Sequence, residues 1–149
     1  MAERGVWGMK REFDEALCRD FPAIFRNRYA DNRTTCMCWG MDCEDGWEPL
    51  IRKLCEQMEY VAPGVVVADQ VKEKYGTLRF YFHCEGATEI QHDILYACEM
   101  HAMSMSAQTC EVCGKYGGME SVGGSPHGWR KTLCAWHAEE LGYAEIEDD

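Results

Sequence analysis

Two short pairs of potential metal ligands near the C-terminus constrain this chain most. The stretch "CEVCG" places Cys110 and Cys113 three residues apart, and "CAWH" places Cys134 and His137 at the same spacing. Three thiolates and one imidazole are a donor set that Zn²⁺ takes in tetrahedral structural sites. If Cys134 opens a helix, His137 lies on the same face. The spacing therefore predicts one Zn²⁺ ion bound by Cys110, Cys113, Cys134 and His137.

The order of these ligands along the chain predicts a treble-clef-like zinc finger. A tight knuckle holds the first pair, a hairpin bending at Gly123-Gly124 returns the chain, and a final helix carries the second pair. Four protein ligands leave no coordination position for water, so the ion is expected to be structural. His127, in the loop between the pairs, is an alternative fourth ligand, although the helical register favours His137.

The role of the ten cysteines depends on whether the cellular compartment keeps thiols reduced. The N-terminus lacks an apolar leader and no stretch is long enough to span a membrane, so we expect a cytoplasmic protein with reduced thiols. Cysteines are then metal ligands or small buried apolar residues. A second metal site at Cys36, Cys38 and Cys43, completed by His83 or Cys84, stays open, but packing of these thiols near tryptophans is favoured.

Apolar periodicity predicts helices in the first half of the chain. The range 9–30 has an apolar stripe at helical spacing, which Pro22 interrupts, so a second short helix is expected at Ala23–Tyr29. Asp45 and Glu48 have the spacing of a capping box and predict the start of a third helix.

A β-hairpin and a long helix are predicted next. Residues 65–83 are rich in β-branched and aromatic side chains, with a turn at Lys74–Thr77 in which Gly76 can take a positive φ. Thr88 and Gln91 form a second capping box for a helix that extends to Ser106. One face of this helix is expected to be lined by Ile90, Ile94, Ala97, Cys98, His101 and Met105.

These elements predict an α+β fold, with helices packed on a β-hairpin or small antiparallel sheet. We assign residues 1–106 to an α+β domain, 107–143 to the zinc-finger element and 144–149 to an acidic tail, in which the segment "EIEDD" is expected to be frayed. No flexible linker precedes Cys110, so the zinc-finger element is expected to dock on the long helix.

The net charge of −11 disfavours general nucleic-acid binding, because an acidic surface repels phosphates. Lys72, Lys74 and Arg79 nevertheless converge near the hairpin turn and form a possible anion or nucleic-acid patch. Together with Arg130 and Lys131, they define an alternative function as a nucleic-acid-binding module. The competing interpretation is that the two lysines are solvated and that Arg79 pairs with a carboxylate, such as Asp69 or Glu73.

Sequence motifs of catalysis are missing from the chain. It contains no glycine-rich phosphate loop, GxSxG or HExxH. Treble-clef elements do occur in some nucleases, so a metal-dependent nuclease centred on His127 is a second alternative. Such an enzyme would need a further metal site.

Three segments together resemble a family of small bacteriophage and prophage proteins. They are "WGMDCEDGWEPLIRKLCEQM", "ADQVKEKYGTLRFYF" and "SAQTCEVCGKYGG…TLCAWHAEE", within about residues 39–140. The chain departs from the family pattern at Glu44, where glycine is expected. The resemblance implies a phage origin and a shared fold, and it supplies no activity. We therefore expect a zinc-binding phage protein in the host bacterial cytoplasm, which binds a host protein as an anti-defence or host-takeover factor and is not a catalyst.

Overall fold

The structure, a computed structural model, describes residues 8–124 and 128–146. It has the predicted α+β fold. The helices are α1 (Arg11–Asp20), α2 (Glu48–Val61), α3 (Glu89–Ser106) and α4 (Ala135–Leu141). The strands are β1 (Met41–Asp42), β2 (Val66–Lys74), β3 (Thr77–Cys84), β4 (Met119–Gly123), β5 (Arg130–Leu133) and β6 (Tyr143–Glu145). Two short 3₁₀ turns cover Cys36–Trp39 and Asp45–Trp47.

The first sheet has the strand order β1-β2-β3. Strands β2 and β3 form the predicted antiparallel hairpin, and the short β1, which the sequence did not predict, pairs parallel to β2. At the hairpin tip, Tyr75 and Gly76 have φ angles of 54° and 80°. Two consecutive positive φ values are typical of the type I′ turn, whose twist matches that of the strands.

The main core lies between this sheet and helices α2 and α3. The predicted apolar face of α2 is buried, including Ile51, Leu54 and Met58. Val71 of β2 and Phe80 of β3 point into the same core. Burial of these large apolar side chains is the main contribution to the stability of the domain.

The structure corrects two predictions in the first half of the chain. Residues Ala23–Tyr29 form successive turns instead of a helix, and Arg28 in this segment reaches back to Asp14 with an Nε–Oδ1 distance of 2.8 Å. Asp45 does not cap α2, which begins at Glu48. Its carboxylate accepts a hydrogen bond of 2.7 Å from the backbone N–H of Lys10 instead.

Helix α3 begins at the predicted capping box, but the predicted apolar face is not its buried face. The fully buried positions are Leu95 and Ser106, together with the nearly buried Ala102, because α3 packs on α2 and β3 through this stripe. The Oγ of Ser106 accepts a hydrogen bond of 2.8 Å from the N–H of Leu78 in β3. Along residues 8–124 and 128–146, no helix has the length and apolar character to cross a bilayer.

Candidate metal centre

The first ligand pair lies on a tight knuckle. The N–H of Gly114 donates to the carbonyl of Cys110 at 2.9 Å, and the N–H of Cys110 donates to the carbonyl of Lys115 at 2.9 Å. Gly114 has a φ of 79°, which glycine adopts without the strain that a side chain would cause. The turn directs both thiols to the same side, as the CxxC spacing predicts.

The second ligand pair reaches the knuckle through a hairpin and a helix. Strands β4 and β5 are antiparallel, and β5 ends immediately before Cys134. Cys134 is the N-cap residue of α4, and His137 lies in its first turn. Knuckle, hairpin and helix give the predicted treble-clef-like arrangement. The structure adds β6, which pairs with β4, so residues 144 and 145 belong to a sheet and not to a frayed tail.

The four predicted ligands converge, with one ligand atom from each lying within 4.8 Å of the others. The Sγ atoms of Cys113 and Cys134 are 3.9 Å apart. The Nδ1 of His137 lies 3.2 Å from Sγ of Cys134 and 3.7 Å from Sγ of Cys110. Tetrahedral Zn²⁺ with Zn–S bonds of about 2.3 Å places two thiolates about 3.8 Å apart. The cluster can therefore hold a metal ion, and its dimensions are consistent with zinc.

The local electrostatics favour a thiolate at Cys134. The backbone N–H of His137 and the His137 ring lower the pKa of the Cys134 thiol to about 6. A thiolate is the form of cysteine that binds a metal. Cys110 is completely buried, whereas Cys113 is at the surface. The site is thus closed on one side by the protein and reaches solvent on the other.

Gly46 fixes the knuckle to the α+β domain. Its N–H donates a hydrogen bond of 2.7 Å to the carbonyl of Glu111, the residue after Cys110. A Cβ atom on Gly46 would lie 2.6 Å from the carbonyl carbon of Glu111, and closer to the carbonyl oxygens of Cys110 and Glu111. The two backbones can approach only because residue 46 has no side chain. Sequence reasoning missed this role, although Gly46 lies in the "CEDGW" segment.

Two further contacts attach the zinc-finger element. The indole N–H of Trp47 donates to the carbonyl of Thr109 at 2.9 Å, and the hydroxyl of Thr132 donates to the carbonyl of Gly76 at 2.7 Å. The anchoring points are therefore the 3₁₀ turn before α2 and the tip of the β2–β3 hairpin. The sequence predicted docking on α3, which instead leads into the knuckle, where Thr109 Oγ1 donates to the carbonyl of Met105.

A buried ion pair joins the same surfaces. Lys131 Nζ lies 3.1 Å from Oε1 of Glu111, and the N–H of Glu44 donates to the other carboxylate oxygen at 3.0 Å. Burial raises the pKa of the Glu111 carboxyl. Each of the two opposite charges compensates the other, and either charge buried alone would be costly. Glu111 was not among the predicted functional residues, since nothing in the sequence marks an acidic residue between two ligands as buried.

The other cysteines do not form a second cluster in the part of the chain that the structure describes. There, the group at Cys110 is the only set of three or more histidine, cysteine or acidic side chains close enough to hold an ion. Cys43 is buried near Trp47 in the main core, and burial raises its thiol pKa well above the ordinary value. Cys36 is exposed, and Cys38 Sγ contacts the carbonyl of Thr35.

The structure brings two of the three hairpin cations together. Lys72 and Arg79 face each other on neighbouring strands, whereas Lys74 Nζ lies 5.6 Å from the ring centre of Tyr75. The predicted acceptors of Arg79 are engaged elsewhere. Asp69 pairs with His83 at 2.8 Å, and Glu73 accepts from the N–H of Gly76 at 2.8 Å. Among the described residues, Arg79 Nε is buried without a hydrogen-bond partner.

A cavity of about 360 Å³ lies where the zinc-finger element meets the first sheet. Its charged lining is Lys72 and Lys131 with Asp42, Glu44, Glu73 and Glu111. Carboxylates outnumber ammonium groups in this cavity. Arg130, the residue before Lys131, does not add a free positive charge there because it pairs with Glu120 at 3.2 Å. The surroundings of the basic residues therefore do not favour a phosphate backbone.

His127, the alternative fourth ligand and the predicted centre of a nuclease site, lies outside the described residues. Fold and site together define a small α+β protein with a treble-clef-like metal-binding element. Comparison with protein-family models, with curated proteins and with solved structures gave no match.

Proposed function

We propose that this chain is a structural-zinc protein that acts by binding another protein and not by catalysis. The observation that carries the proposal is the complete set of four protein donors around one point. A zinc ion held by Cys110, Cys113, Cys134 and His137 has no open position for water or substrate. Its role would be to stabilise the small element that contains it.

The surface of the zinc-finger element supports a role in protein binding. Trp129 is 71% exposed and Trp136 is 64% exposed, and Tyr116, Met119 and Leu141 are also exposed. Tryptophan, tyrosine and methionine are enriched in protein–protein interfaces. The net charge of −11 favours a partner with a basic surface, since complementary charge accelerates association.

The resemblance to phage proteins suggests which partner to expect. A phage protein in an infected bacterium meets host proteins that bind nucleic acid through basic surfaces. An acidic protein with exposed aromatic side chains has the chemistry to occupy such a surface. We therefore propose a host protein as the partner, with an anti-defence or host-takeover role in the bacterial cytoplasm.

Affinity capture from bacterial lysate with the zinc-loaded protein tests this proposal. We expect wild type to retain a stoichiometric basic partner, and a Trp129→Ala/Trp136→Ala double variant to lose it while keeping its metal and its thermal stability. Tyr29→Ala is the matched control, because Tyr29 is an exposed aromatic residue outside the zinc-finger element. If wild type retains no partner, or the double variant retains the same one, the proposal is wrong.

Nucleic-acid binding is a second candidate, favoured by one observation. Arg79 Nε is buried without a hydrogen-bond partner within the described residues, and Arg79, which also interacts electrostatically with the Glu99 carboxyl, lies opposite Lys72. A gel-shift series at increasing salt would detect this activity, and Lys72→Ala/Arg79→Ala should reduce both the affinity and its salt dependence. Failure to bind at low ionic strength would exclude it.

A further inference from the structure

The cavity between the zinc-finger element and the first sheet has aromatic as well as charged walls. Trp129 and Tyr143 line it together with the charged residues. The indole of Trp129 is exposed, and Tyr143, at the start of β6, is half-buried. The volume of about 360 Å³ lies within the range of ligand pockets, which begins at about 300 Å³. The cavity is therefore large enough to receive one long side chain.

The charge of this cavity favours a cation as its ligand. Among the described residues, four carboxylates and two ammonium groups line it, so negative charge is in excess. The ammonium of Lys131 is compensated by Glu111 at 3.1 Å. Asp42 on β1 is exposed, and its carboxylate makes no hydrogen bond or ion pair with another described residue, although Lys72 is its neighbour on β2. The Asp42 carboxylate is thus available to a ligand.

An arginine side chain matches both the charge and the aromatic walls. Its guanidinium group is planar, stacks on aromatic faces and is attracted by the π-system of an indole or phenol ring. The same group donates two parallel hydrogen bonds to a carboxylate. A lysine ammonium carries the same charge, but it is a compact, strongly hydrated ion without a flat face to stack.

We propose that this cavity binds an arginine side chain of the partner protein, with its guanidinium group beside the Asp42 carboxylate and the indole of Trp129. The assignment rests on the proposed function, since it names the chemical group that the protein recognises on a basic partner. Trp129 and Tyr143 belong to the zinc-finger element, whereas Asp42 and Glu73 belong to the first sheet. The cavity is therefore complete only when the metal-binding element is folded and attached.

Titration of the zinc-loaded protein with N-acetyl-arginine amide, followed by two-dimensional ¹⁵N–¹H NMR, tests the proposal. We expect the compound to shift the indole signal of Trp129 and the backbone signals of Asp42 and Tyr143. Saturation should occur in the millimolar range, because so small a ligand makes few contacts. N-acetyl-citrulline amide is the matched control ligand, since it has nearly the same shape and no charge. N-acetyl-lysine amide should bind more weakly than the arginine compound.

Substitutions in the cavity should change this affinity in opposite directions. Asp42→Asn should weaken binding roughly threefold, as expected for the loss of one solvent-exposed ion pair. Trp129→Ala should also weaken it, because the stacking surface is lost. Lys72→Gln should strengthen it, since a like charge is removed. Asp93→Asn is the matched control, because Asp93 is an exposed aspartate of α3 that does not line the cavity. The NMR spectra also verify that each variant is folded.

Saturable shifts with the arginine compound alone, changed by the variants in these directions, would support the proposal. It is overturned if the arginine compound shifts no signal of the cavity, if the citrulline compound shifts the same signals equally, or if Asp42→Asn binds as tightly as wild type. The lysate experiment fails separately from this one. A captured partner without arginine binding would overturn only the cavity assignment, whereas arginine binding without a captured partner would support the cavity assignment and contradict the proposed function.

Discussion

Substituting Gly46 by alanine is the sharpest test of how the metal element is attached. The added Cβ atom would lie 2.6 Å from the carbonyl carbon of Glu111, whereas ordinary van der Waals contact begins at 3.4 Å. The backbones of the knuckle and of the 3₁₀ turn must therefore separate by on the order of 1 Å, because repulsion rises steeply inside contact distance. Gly46 does not have a positive φ, so the effect is steric and not conformational.

The magnitude follows from two contributions. Overpacking a buried contact costs about 1–3 kcal/mol. The hydrogen bond from the Gly46 N–H to Glu111 has a length of 2.7 Å, and lengthening it removes about 1 kcal/mol. We therefore expect Gly46→Ala to lower the free energy of unfolding by about 3 kcal/mol. Because the strained carbonyls belong to the ligand Cys110 and to the adjacent Glu111, metal release should also become faster.

Denaturant unfolding of the metal-loaded protein measures the first effect, and transfer of the ion to a chromogenic chelator measures the second. Gly124→Ala is the matched control, since a Cβ there meets no atom of the described residues within 4 Å. A loss below about 1 kcal/mol, which is ordinary for a surface change, would refute the steric argument. So would equal losses in the two variants.

Three further predictions address the metal and the core. Cys113→Ser should abolish stoichiometric metal binding and lower the melting temperature, whereas Cys36→Ser, outside the cluster, should change neither. Elemental analysis measures the bound metal and calorimetry the melting temperature. A metal-free wild type would contradict the site. A strong zinc chelator should unfold the zinc-finger element at temperatures where the loaded protein is folded, which far-UV circular dichroism would show; an unchanged spectrum and melting curve would argue against a structural ion. Arg28→Ala should cost about 3 kcal/mol because it leaves the buried Asp14 carboxylate without its cation. Arg33→Ala, which removes an exposed ion pair, should lower the free energy of unfolding by less than about 1 kcal/mol. Denaturant titration measures both variants, and similar losses in the two would contradict a buried role for the Arg28–Asp14 pair.

The sequence was most informative where local chemistry determines structure. Ligand spacing at Cys110 and Cys134 predicted both the metal cluster and the treble-clef-like element around it. The hairpin turn at Gly76 and the capping box at Thr88 were also correct, because each depends on residues adjacent in sequence. Such features require little knowledge of the tertiary fold.

The sequence was least informative where a contact joins distant segments. On α3, apolar residues occur on two faces, and the pattern alone could not show that Leu95 faces the core while Ile94 faces outward. Asp45 was assigned as a helix cap because the competing donor, the N–H of Lys10, is remote in sequence. Gly46 shows the same limit, since its importance comes from a backbone that approaches it only in the folded protein.

The division of the ligands into two pairs also orders events during synthesis. Cys110 and Cys113 leave the ribosome before Cys134 and His137, so the ion can be fully coordinated only after β4 and β5 have been made. Until then the backbone at Gly46 lacks its contact with the knuckle, although α2 and the β2–β3 hairpin can already pack against each other. Domains generally fold as units, and the N-terminal one folds first during synthesis. Metal binding would then be a late step of folding, after the core of the α+β domain has formed.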